Sequence, residues 1–129
     1  MLAQNFKSAK ELGLAEVEVE ALVTVLRMLE RGDIAREQFH MGRFRDECRT
    51  PACICGWAHH ISRGRAFSEL ASPCGPLILH RRASSGLNEL FRLTQARDSG
   101  GEITPAQAAV ALRNYLTHGE PRWPEALTV

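Results

Sequence analysis

Three of the four cysteines and two of the five histidines of this 129-residue chain fall within thirteen positions, Cys48-Arg49-Thr50-Pro51-Ala52-Cys53-Ile54-Cys55-Gly56-Trp57-Ala58-His59-His60. Thiolate and imidazole are the usual ligands of structural zinc and the usual partners in nucleophilic catalysis. Thr50-Pro51 sets a helix start in their midst, with threonine as N-cap and proline at the first helical position. Cys53 is then the third helical residue, where outward-facing amides and the helix dipole favour an anion and raise the thiolate population. Cys48 and Cys53 are therefore the candidate reactive thiols. No residue is assigned a catalytic or metal-ligating role, and no cofactor is expected.

Three chemistries compete for this cluster. A zinc site needs four ligands in a tetrahedron. On a helix from Pro51, however, Cys53 and His60 take one flank of the Ile54, Trp57, Ala58 and Ile61 stripe, and Cys55 and His59 take the other. At about 100° per residue one ion cannot collect both flanks, so a site would need Cys48, one flank, and Cys74, His40 or His80. Thiol catalysis would need a partner histidine on a distant element, and Cys53-Ile54-Cys55 lacks the two-residue gap of a thioredoxin-type pair. Packing asks for less, since reduced cysteine behaves as a small buried apolar side chain. On that reading Cys48 and Cys53 fill a tight helix entrance and Trp57 anchors the core. His59 and His60 then satisfy carbonyls at the helix end. Packing is the favoured reading, and a metal- or thiol-dependent regulator built on Cys48 and Cys53 is the alternative.

The flanking elements read as helices. Over residues 15–31, Ala15, Val19, Val25, Leu26 and Leu29 gather around Leu22, opposite Glu16, Glu20, Thr24, Arg27 and Arg31, the pattern of an amphipathic helix. Gly32 supplies its stop. Residues 35–40 suggest a short helix or turn. The cysteine-bearing helix should run from Pro51 to about residue 62 or 63 and end at Gly64. Gly56 inside it implies a close neighbour or room for Trp57. Ser85 to Phe91 reads as a capped short helix with Leu87, Leu90 and Phe91 inward. Thr104-Pro105-Ala106-Gln107 combines an N-cap, an N1 proline and a capping-box glutamine. The helix that follows groups Ala108, Ala109, Leu112, Tyr115 and Leu116 on one face, and Gly119 and Pro121 stop it. No segment alternates like a strand. The expectation is an all-α, compact single domain over residues 1–129, a bundle of about five helices with irregular connections.

Composition narrows the class. With 44% hydrophobic and 24% charged residues the chain suits a soluble globular domain. No segment approaches the ~18 apolar residues of a membrane span, and residues 1–7 lack the pattern of a secretion signal. The expected address is the cytoplasm, where thiols stay reduced. The net charge of +1 divides into −2 over residues 1–35, +5 over 36–97 and −2 over 98–129. An arginine-rich middle could draw nucleic acid, but Asp46 and Glu47 interleave Arg43, Arg45 and Arg49, and a dedicated binder carries a denser basic face. Nucleic acid is therefore an unfavoured partner. Arg81-Arg82 reads as hydrated surface. Asp98 to Glu102 lacks the alternating acidic ligands of a calcium loop.

The central motif resembles a group of uncharacterised bacterial and phage-associated proteins with the pattern C-G-T-x-x-C-x-x-G-W-A, which stands here as Cys48 to Ala58. Arg49 replaces the pattern's glycine. Leu12-Gly13-Leu14, Ile103-Thr104-Pro105, Gly119 and Trp123 extend the likeness along the chain. The resemblance implies a shared fold and carries no activity. The expected function is a non-enzymatic cytoplasmic accessory or protein-interaction domain with an unidentified protein partner. A homodimer is also expected, through the small residues Ala106, Ala108, Ala109 and Ala111 of the last long helix with Tyr115 and Trp123 beside them. If Cys53 is packed beneath Trp57, a thiol reagent should label it slowly until denaturant is added. Cys53→Ser should then cost about 1–3 kcal/mol. Rapid native labelling, with the serine variant as stable as the parent, would contradict the packing reading.

Overall fold

A computed structural model of the chain describes residues 6–39, 54–67, 90 and 103–129. Among these the secondary structure is helical and no residue lies in a strand. Helix α1 spans Ala9–Leu12 and α2 spans Glu16–Arg31, followed by a 3₁₀ turn at Arg36–Gln38. Helix α3 spans Ile54–Ile61, α4 spans Pro105–His118 and α5 spans Trp123–Ala126. The all-α architecture expected from periodicity holds over the described residues.

Several of the described helix ends have a legible cause. Helix α1 rests on a reciprocal box. The Ser8 hydroxyl accepts from Glu11 N at 3.1 Å, and Ser8 N donates to Glu11 Oε1 at 2.8 Å. Helix α4 repeats the device through Thr104 and Gln107, with Pro105 in its first turn. The stop of α2 is a paired carbonyl closure in which Gly32 N reaches Leu29 O and Asp33 N reaches Met28 O, with Gly32 at φ +80°. The left-handed position at such a closure normally falls to glycine. Helix α3 closes the same way, Arg63 N to His60 O and Gly64 N to His59 O, but the residue at φ +58° is Arg63.

Helix α2 is the centre of the arrangement. Both α3 and α4 pack against it, α1 touches it, and α5 packs on α4. Ala21, Leu22, Val25, Leu26 and Leu29 are buried along α2, against Ala108, Ala109, Leu112, Tyr115 and Leu116 of the α4 face expected from spacing. Leu90, which is helical, is buried with them, as its spacing foretold; the rest of its expected helix lies outside the described residues.

Three details differ from the sequence expectation. Ala15, assigned to the apolar stripe of α2, is exposed because it precedes the helix as the N-cap, and the buried position at this end belongs to Glu18. Trp57 is only partly buried at the edge of the core, whereas Trp123 is fully buried. The indole of Trp57 carries an N–H that must be satisfied, and it donates to Gln38 O at 3.3 Å, which holds the ring at the rim. Finally, Ala108, Ala109, Ala111, Tyr115 and Trp123 are buried by the chain itself. Of the small-residue face proposed for a dimer only Ala106 is exposed, so that face cannot serve a second copy.

The Arg63 geometry gives a test. A side chain in the left-handed region costs roughly 1–2 kcal/mol that glycine avoids. Offset by glycine's own backbone entropy, Arg63→Gly should stabilise the fold by about 0.5–1 kcal/mol in urea denaturation. A destabilised variant would show that Arg63 contributes more through its side chain than it loses in its backbone.

Candidate functional site

The two candidate reactive thiols, Cys48 and Cys53, lie outside the described residues, as do Thr50, Pro51, Cys74, His40 and His80. Of the cluster the structure places Cys55, Gly56, Trp57, His59 and His60, all on α3. Cys55 and Gly56 face the core and are buried, in keeping with the α3 face that packs on α2. His60 is exposed and meets Trp57 edge-on, ring centroids 6.1 Å apart and planes at 88°. His59 and His60, about 100° apart around the helix, thus meet different partners, Ala66 O and the Trp57 ring.

His59 serves the end of α3. Its Nδ1 lies 3.1 Å from Ala66 O. A carbonyl can only accept, so Nδ1 carries the proton in this bond. Around it the chain folds back tightly. Ser62 is buried, and its hydroxyl donates to His59 O at 3.0 Å while accepting from Ala66 N at 2.7 Å. Arg65 Nε donates to Ser62 O at 3.3 Å. The sequence expectation is that His59 and His60 satisfy carbonyls at the helix end; His59 bonds Ala66 O beyond the helix instead, and His60 meets the Trp57 ring.

The residue that sequence reasoning overlooked is Glu18. Only 4% of it is exposed. Its Oε1 accepts from Ala15 N at 3.0 Å, closing the start of α2, and its Oε2 accepts from Phe67 N at 3.3 Å, 49 positions along the chain. Phe67 is itself fully buried and left-handed, with φ +57°. One carboxylate therefore joins the first turn of α2 to the turn after α3. The signal was present in Glu16-Val17-Glu18-Val19-Glu20. Residues two apart on a helix project about 200° from one another, so Glu16 and Glu20 share the solvent face. Glu18 falls opposite them, one turn before Leu22.

Among the described residues no group of three or more His, Cys, Asp or Glu side chains is placed to hold a metal ion. No described helix is long and apolar enough to cross a membrane. Comparison with protein families, with curated proteins and with solved structures returns no match.

The joint made by Glu18 is testable. Glu18→Ala removes the acceptor of two backbone amides and should destabilise by about 1–3 kcal/mol. Glu20→Ala, on the solvent face, should stay within about 0.5 kcal/mol. Hydrogen exchange at Phe67 N should accelerate in the first variant only. Equal stability of the two variants would show that the Glu18 carboxylate does not hold the turn.

Proposed function

We propose that the chain is a small non-enzymatic accessory or protein-interaction domain, working in the cytoplasm, that binds a protein partner. The observation that supports this reading is how the described polar groups around α2 and α3 are engaged. His59 is bonded to Ala66 O, Glu18 to the amides of Ala15 and Phe67, and Cys55 is buried. Each of these side chains could do chemistry, and each builds the fold instead. We also take the chain to be a relative of the group that carries the C-G-T-x-x-C-x-x-G-W-A pattern.

The test is recovery of the tagged chain with a partner in stoichiometric amount, followed by reconstitution from the two purified proteins. A complex with a Kd tighter than about 10 μM is expected, unchanged in Cys48→Ser and Cys53→Ser. Loss of the complex on chelation or in either serine variant would move the function to a metal- or thiol-dependent regulator. Tight binding to nucleic acid that falls steeply with salt would move it to the arginine-rich middle.

A further inference from the structure

We draw no further inference here: the strongest candidate, the aromatic and basic edge where Trp57 and His60 meet beside Arg63 and Arg65 at the end of α3, has nothing in the structure to show what covers it.

Discussion

Helix α2 must hide its apolar stripe against two neighbours at once, α3 and α4, and the other described elements are arranged around that requirement. A stripe that meets two helices has to be wide, which is why Ala21 and Leu22 are buried together with Val25, Leu26 and Leu29. The partner surface on α4 is built from alanines between larger side chains, and small residues let helix axes approach toward the short end of the usual 8–10 Å range. Trp123 and Ala126 of α5, both fully buried, close the α4 side. The polar link between α2 and α4 is a bidentate pair, Arg113 Nε to Glu30 Oε2 and Arg113 Nη2 to Glu30 Oε1, both 2.9 Å. With side chains 46% and 39% exposed it contributes about 0–1 kcal/mol. It aligns the helices; the apolar contact holds them. Arg113 also lies over the Phe6 ring, 5.6 Å from its centroid, and Lys7 N donates to Leu116 O at 2.7 Å. The segment before α1 is thereby laid along α4.

Two of the three described non-glycine residues in left-handed backbone lie in the turn after α3. Arg63 and Phe67 both adopt left-handed backbone, at roughly 1–2 kcal/mol each. Burying the Phe67 ring returns about 1.5–3 kcal/mol, so a left-handed residue is tolerated where its side chain completes the core. Arg63 has no such compensation, being exposed. Its conformation is imposed by the two closing hydrogen bonds of α3 and by the bonds of Ser62 and His59 just beyond. His59, Ser62 and two of the three described non-glycine left-handed residues thus meet in the turn after α3; the third, Arg122, precedes α5.

Legibility followed the range of the interactions. The helix at 16–31, its Gly32 stop and the Thr104-Pro105-Gln107 start were readable because a cap is decided within four residues and a stripe within two turns. Helix α1 carried the same kind of signal in Ser8-Ala9-Lys10-Glu11, and its shortness hid it. The buried face of α4 was readable as a face, but not what covers it: Tyr115 and Trp123 read as surface for a second copy, and the chain itself buries them. Glu18 shows the limit most plainly. Its position on the inner side of α2 followed from helical geometry, while its bond to Phe67, 49 residues on, required the tertiary fold. The relative placing of Trp57 and Trp123 was likewise set by long-range packing. Cys48 and Cys53, the candidate site, lie outside the described residues.

If α2 is the element on which the rest depends, its central amides should open only when the whole domain unfolds. Native-state hydrogen exchange measures this directly, because local openings exchange at lower free energy than global ones. The amides of Leu22, Val25 and Leu26 are expected to form the slowest group, with an opening free energy equal to that of global unfolding and not exceeded anywhere in α4. Protection that persists in α4 while these α2 amides exchange by a lower-energy opening would contradict a fold built around α2.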